Sequence, residues 1–591
     1  PAFEFTFREF HGRPYLVIDF FVEVKNVLKL QDLVQRGRGA RSFENRWATV
    51  RSRDGWREGK IDSCGEGVAH VILPELNRSE VIGFDEIIPQ LSMSELVQEL
   101  SSSSFDLWSE VKRRSLATFQ GAARRRAETT QDAAGVIAEQ VFPLRVGGTE
   151  LALSMEPARL DSSTRLEPRV LAEPLVEFAR RKETSNIREG ITEFGAYGHE
   201  TNEIELVPIV EDAYRTRMQA LIERLKAGKF RYKGSERTFG TRFTYSSLVT
   251  VHPGDSIAAT CERVLHEHPT WSGDVTLHRL FLVHTPEGIR ALDDEQSDYY
   301  LAKRLLLESG VPCQMVDSPT LESPDFKDLN LALNVAAKCG VVPWVLPEGI
   351  PDADFFVGLS YTQHRGDSGT RLMGYANVFN RYGRWLFYSG NVETFAYADR
   401  SHRLAELVEA TLSRLEDLSE TPHVYFHYSA RFSRDDRESL VTAARRVRPQ
   451  GTYSFVSINS HHPVRLYDER PEGDGSLARG SYVVTGENQI YLSTTGYNPY
   501  RKALGTPLPL ELTVWTFPPI GQTRTPADLH ALARQILALT KLNWASSDAL
   551  TGEPITTKYA GDIAYLTAAF LRQSGRPFNL HPVLERTPWF L

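Results

Sequence analysis

Apolar, β-branched and aromatic runs bounded by turn residues punctuate residues 355–461. They predict three successive strands, FFVGLSYTQ, RLMGYANVFN and RWLFYSGNVE. A helix follows over DRSHRLAELVEATLSRLEDL, then a strand (HVYFHYSARF), a helix (DDRESLVTAARRV) and a strand (TYSFVSINS). Residues 202–345 alternate strand and helix. NEIELVPIV, SSLVTVHP, VTLHRLFLVHT and VPCQMVDS read as strands. EDAYRTRMQALIERLKAG, SDYYLAKRLLLESG and DLNLALNVAAKCG read as helices that stop at Gly228, Gly310 and Gly340. Such alternation predicts a parallel, Rossmann-like sheet. The tail predicts strands in SYVVTGENQIYLSTTG and LPLELTVWTF. It then predicts a helix capped by Thr525, Pro526 and Asp528, with an apolar stripe at Leu529, Leu532, Ile536 and Leu539, and a last helix in TTKYAGDIAYLTAAFLR.

Residues 1–100 are strand-rich around an Arg- and Gly-rich segment at 36–60, which reads as a solvated hairpin or loop rather than a nucleic-acid surface. Residues 101–135 read as a polar helix that Ser104 would cap, and 140–195 as a connecting region with short strands. The fold class expected is α/β multidomain: a strand-rich region, a Rossmann-like domain and an RNase H-like domain. The RNase H-like order at 355–461 carries chemical expectations. Such nucleases hold two divalent metals between carboxylates on their first and fourth strands. Here those strands offer Ser360 and Ser429, and neither hydroxyl replaces a charged oxygen ligand for a hard cation.

The length of 591 residues implies about three to five domains. An apolar content of 41% with 24% charged residues describes a globular chain, and the absence of a long apolar run excludes a membrane span. The four cysteines, Cys64, Cys261, Cys313 and Cys339, form no CxxC pair; this argues against zinc and disulfides and for a reducing cytoplasm. A net charge of −8 excludes a simple basic coat on nucleic acid but not a locally positive channel. The first residue is not Met, so the chain reads as processed or as a piece of something longer.

Tyr299 and Lys303 stand at i and i+4 on one helix. Gln314 follows in the next strand and Lys338 in the last turn of the next helix. Taken singly each is an ordinary packing or surface residue; together they offer several donors and two positive charges, which a terminal phosphate needs. Tyr299-x-x-x-Lys303, GVPCQ ending at Gln314, then Asn330 and Lys338 before Pro343-Trp344, resemble the MID domain of prokaryotic Argonautes. The region after it resembles their PIWI domain, and the ending PWFL resembles the family's apolar carboxyl terminus.

The resemblance implies that Tyr299, Lys303, Gln314, Asn330 and Lys338 bind the 5′ phosphate of a guide. It implies a Mg2+ ion there, held by Gln314 and the terminal carboxylate of Leu591. The family's catalytic tetrad maps onto Ser360 after VGL, Ser429 in YSAR and Gly561 in KYAG, a turn expected just before the final helix. Glu393 is the nearest match to its glutamate finger. His427, beside Ser429, reads as a satisfied histidine rather than a backbone contact.

The expected reading is a catalytically inactive, long-branch Argonaute. Its parts are linker 1 with a degenerate PAZ-like region at 1–105, linker 2 at 106–198, MID at 199–346 and PIWI at 347–591, with the usual N domain missing and the guide's 3′ end loosely held. It captures a 5′-phosphorylated guide, RNA before DNA, and pairs it with complementary target DNA from plasmids or phage. A separate effector, a nuclease, a sirtuin-like protein or a membrane protein, acts next. Two other readings stay open. One is an active guided endonuclease using Asp367, Asp435 and Asp562; the other is a scaffolding protein without a guide.

Overall fold

A computed structural model describes the chain except residues 1, 22–26, 54, 74–75, 77, 92–94, 96–122, 155–156, 246, 253, 287–297, 367–368, 391–393, 416–417, 471–473, 499–507, 548–550 and 575. The chain divides into two compact units. The first comprises residues 1–7, 16–155 and 469–475; the second comprises 8–15, 156–468 and 476–591.

The first unit holds a five-stranded antiparallel sheet. Its strands Trp47–Ser52 and Val68–Leu73 bury every second residue, so Val50, Ala69, Val71 and Leu73 meet Leu30, Leu33 and Phe43 in one core. The Arg-rich stretch thus becomes a short helical turn and a hairpin. Arg38 and Arg46 both clasp Glu95, at 2.9 and 2.7 Å, and lie over the Phe43 ring. The polar helix is described over Ala123–Gln140. Ser104 and the first part of the predicted helix lie outside the described residues.

The second unit contains a parallel sheet of five strands: β1 (Glu203–Glu211), β2 (Arg242–Thr244), β3 (Val249–Val251), β4 (Arg279–Thr285) and β5 (Cys313–Asp317). The order is β2-β1-β4-β5, with β3 also paired to β1. Helices α1 (Arg215–Ala227), α2 (Asp298–Glu308) and α3 (Asp328–Lys338) alternate with the strands. Near-continuous burial along β1 and β4 is what a parallel sheet covered on both faces requires. Several short helices escaped the sequence reading, and so did the longer Ile257–Glu267. Its signals were Ser256, which caps Ala259 N, and the buried spacing Ile257, Cys261, Val264.

The same unit contains a mixed ten-stranded sheet. Its centre is β6 (Phe355–Gly366), β7 (Gly369–Asn380), β8 (Trp385–Gly390), β9 (His423–Tyr428) and β10 (Thr452–Asn459). They run in the order β8-β7-β6-β9-β10, with an antiparallel hairpin ladder first and parallel pairing from β6 to β10. This is the RNase H-like order predicted from the pattern. The helix α4 (Arg434–Val447) precedes β10, and the long α5 (Ile555–Ser574) packs on β6.

Three local expectations need correcting. The tail helix begins at Leu529, and Asp528 alone is its cap, accepting from Ala531 N; Thr525 and Pro526 precede it. The strand predicted through Phe432 ends at Tyr428, because Ser433 opens the capping box of α4 and Arg431 turns away. KYAG is not a turn before the last helix: Gly561 is inside α5.

The close approach of α5 to β6 depends on Gly358. A Cβ there would collide with Asn377 Oδ1 and the Thr556 carbonyl. Gly358→Ala is therefore expected to lower stability by about 1–3 kcal/mol through overpacking. A thermal midpoint within a degree of the parent would contradict that contact.

Candidate functional site

The two lysines singled out by sequence are both buried. Lys303, on α2, is 3% exposed and Lys338, at the end of α3, is 0% exposed. Helical spacing puts Lys303 Nζ 5.7 Å from the ring centroid of Tyr299, one turn before it. Lys338 Nζ donates to the Cys313 carbonyl at 2.9 Å and to Gln314 Oε1 at 2.7 Å. Gln314 Nε2 donates to Met315 O at 3.0 Å, which fixes the orientation of the amide. Burial pushes the Cys313 thiol up, and the positive charges of Lys303 and Lys338 both pull against that rise. The two ammoniums thus surround the start of β5.

The last residues of the chain complete this neighbourhood. Trp589 and Phe590 are buried. Phe590 packs its ring 4.8 Å from Tyr559 and 5.5 Å from Trp385. Lys303 Nζ reaches the Phe590 carbonyl at 3.5 Å, one residue before Leu591. Removing a charge from water is costly unless close partners replace the water. Lys303, among the described residues, has only this one long hydrogen bond and no ion pair.

Asn330 is placed elsewhere. Its Oδ1 accepts from the backbone N and the hydroxyl of Ser547, both at 2.9 Å. Eight residues of helix separate it from Lys338, about 12 Å along the axis. Tyr299, Lys303, Gln314 and Lys338 are brought together; Asn330 is not one of that cluster.

The second set of residues sits midway along β6 and just past the carboxyl end of β9. Leu359 pairs with Tyr428 in parallel register. Ser360 and Ser429 therefore follow side by side, Ser360 at 9% exposed and Ser429 exposed beyond the strand end. Gly561 is exposed on α5, and a Cβ at that position would meet nothing within 4 Å. Beneath them lies a buried polar layer: Asn377 Nδ2 donates to Thr556 O at 3.0 Å, and His427 Nδ1 shares a 2.8 Å hydrogen bond with Thr556 Oγ1. Thus β6, β7, β9 and α5 meet through Gly358, Asn377, His427 and Thr556.

Two of the acids near these positions, Asp562 and Asp436, have other partners. Asp562 binds Lys558 one turn earlier, at 2.7 and 2.9 Å. Asp436 closes the capping box of α4 and pairs with Arg400 at 2.8 Å, and Asp435 stands beside it in the first turn. Both placements suit a helix amino end. Asp367 and Glu393 lie outside the described residues. Among the described residues no three His, Cys, Asp or Glu side chains group as metal ligands.

Comparisons with known proteins agree with this architecture. The chain is 28% identical over 331 residues to "Protein argonaute" of Cereibacter sphaeroides, matching 51% of this chain and 41% of that protein. It is 26% identical over 279 residues to "Protein argonaute" of Aquifex aeolicus and 27% identical over 323 residues to that of Thermus thermophilus. The matched stretch spans 35% and 42% of those two proteins. No protein-family model matches the chain. Among solved structures, Clostridium butyricum Argonaute bound to a guide DNA and a 19-mer target DNA superposes with a TM-score of 0.68 at 15% identity, over 96% of this chain and 78% of that one. Aa-Ago with externally bound siRNA gives 0.65 at 15% identity, over 100% and 80%. This chain has Argonaute homologues and an Argonaute-like fold. No described helix is long and apolar enough to cross a membrane.

Sequence reading missed the backbone oxygens that hold the lysines, the carbonyls of Cys313 and Phe590, because main-chain groups carry no residue signature. It also missed the buried layer of Asn377 and Thr556 under the serines. His427 within that layer titrates far from its usual range: burial depresses its pKa to about 3. Its neutral form is favoured in the folded state, so its contribution to stability is complete above pH ~6.5 and is lost as pH falls toward 3. His427→Gln should flatten the fall of the thermal midpoint between pH 6.5 and 4.5, by the share of about one proton. An unchanged acid limb would show that His427 is not buried neutral.

Proposed function

We propose that the protein is a guide-dependent nucleic-acid binder of the prokaryotic Argonaute type that pairs with a target and does not cut it. The observation that carries this reading is the coexistence of two clusters. Lys303 and Lys338 are buried around Gln314 and Cys313 in the parallel sheet, while β6 and the end of β9 carry Ser360 and Ser429 side by side and α5 carries Gly561, none of them an acid. The homologues named Protein argonaute support it, as do solved neighbours described with a guide DNA and target DNA or with siRNA.

In this reading the MID domain captures a 5′-phosphorylated guide. Lys303 and Lys338 supply positive charge in a low-dielectric site, where charge-assisted hydrogen bonds to a phosphate are strong. Gln314 orients Lys338 through its Oε1. Tyr299, partly exposed beside Lys303, stacks on or bonds to the first nucleotide. A divalent ion such as Mg2+ fits the donor set, since the amide oxygen of Gln314 and the terminal carboxylate of Leu591 are hard oxygen ligands. Bound there, it would add positive charge at the phosphate. Base pairing then reads the target, and the protein reads backbone shape, as in other guided systems.

The guide is proposed to be RNA and the target invading plasmid or phage DNA, in the cytoplasm. A binder that leaves its target intact requires a separate effector: a nuclease, a sirtuin-like protein or a membrane protein.

Binding of guides ending in 5′ phosphate or 5′ hydroxyl tests the pocket. The parent protein should prefer the phosphate by at least about tenfold, and Lys303→Met/Lys338→Met should abolish the preference. Equal affinity for both ends in the parent would remove the basis of the reading. In a cleavage assay with matched guide and target and Mg2+ or Mn2+, no product should form. A product lost on Asp435→Asn/Asp562→Asn would establish the endonuclease reading instead.

A further inference from the structure

Two phenylalanines stand on the surface of the parallel-sheet layer in a place that neither the lysine pocket nor the serine site uses. Phe230 is 60% exposed and Phe326 is 70% exposed. Their rings stack at a centroid distance of 4.9 Å and an interplanar angle of 13°. Both residues have left-handed backbones, φ 57° and 66°. For a bulky residue this conformation is unfavourable, and it persists only where surrounding structure enforces it.

The enforcement is visible. Phe230 is at the tip of the turn that follows α1. Gly228 and Gly234 bracket that turn with φ 85° and 86°, and a Cβ at Gly234 would lie 2.5 Å from the Lys226 carbonyl. The buried Tyr232 anchors the turn by donating to Leu225 O at 2.6 Å. Phe326 is in the turn closed by Lys327 N donating to Pro324 O at 3.1 Å. Asp325 ties the two turns together: it binds Arg224 at 2.8 Å and Lys229 at 3.1 Å. Arg224 is held in turn by the buried Asp328 at 2.5 Å. Lys229 Nζ also lies 4.9 Å from the centroid of the Phe230 ring.

An ionic clamp that holds two strained aromatic rings in solvent raises stability nowhere that the rings themselves require; it presents them. We infer that this pair is a docking site for a protein partner that offers an aromatic side chain within an acidic segment. Charge selects the partner. Each ring is followed by an exposed cation, Arg231 after Phe230 and Lys327 after Phe326, and among the described residues neither forms an ion pair. Geometry argues against a nucleic-acid strand. The rings contact each other, so no base fits between them. Asp325 and Glu322 beside the rings are already paired, with Arg224 and Lys229 and with Arg217, so among the described residues the charge left uncompensated at the rings is that of Arg231 and Lys327.

The test is fluorescence anisotropy on the whole chain with a labelled peptide, GSDEWEDSG. Controls are the same peptide with Trp replaced by Ala, the same peptide with its acids amidated, and a labelled single-stranded oligonucleotide with a 5′ hydroxyl. Phe230→Asn/Phe326→Asn is the variant, because Asn tolerates the left-handed backbone and should leave the thermal midpoint and guide binding unchanged. The acidic Trp peptide should bind the parent, and its affinity should fall about tenfold or more in the variant and in both peptide controls. Three outcomes would overturn the inference: no binding below about 1 mM, equal binding to parent and variant, or loss of oligonucleotide binding in the variant with peptide binding intact.

Discussion

Two ammonium groups held out of water at the edge of a parallel sheet are the constraint on which the second unit turns. Lys303 and Lys338 come from different helices, α2 and α3, and meet around the first residues of β5. Burying such charges is costly, and the structure meets the cost with aligned oxygens: the carbonyls of Cys313 and Phe590 and the amide of Gln314. That arrangement also gives the apolar residues near Lys303 a role. Trp589 and Phe590 bury their rings, and the Phe590 carbonyl comes to Lys303.

The mixed sheet obeys a different rule. Gly358 allows α5 to settle on β6, and Asn377 and His427 bond to Thr556 at that contact. The layer is buried and bonded through Thr556, while among the described residues Asn377 Oδ1 and His427 Nε2 have no hydrogen-bond partner. Architecture and chemistry are therefore separable in this fold. The backbone contacts that assemble three strands and a helix do not involve the side chains that would hold metal, and the latter can change without disturbing the former.

Much of this was legible beforehand. Strand and helix periodicities at 202–345 and 355–461 are long, so the parallel sheet and the succession of elements in the RNase H-like region followed from pattern, while the β8-β7-β6-β9-β10 order came from the fold. Errors came at element ends, where short-range signals compete. Ser433 and Asp436 captured the residues after Tyr428 for a helix start, and Asp528 capped a helix that Thr525 also suited. The helix at Ile257–Glu267 passed unread although its cap and stripe were present.

What the amino-acid order determined by itself was composition at each site: a tyrosine, two lysines and a glutamine at helix and strand spacing, and serines at 360 and 429. Those facts are local, and no fold alters them. Tertiary structure decided which of them meet. It drew four of the five phosphate candidates together and left Asn330 bonded to Ser547, because eight helical residues carry a side chain about 12 Å away. It also stacked Phe230 on Phe326, residues that no sequence period connects, because ion pairs across two turns leave the rings no other place.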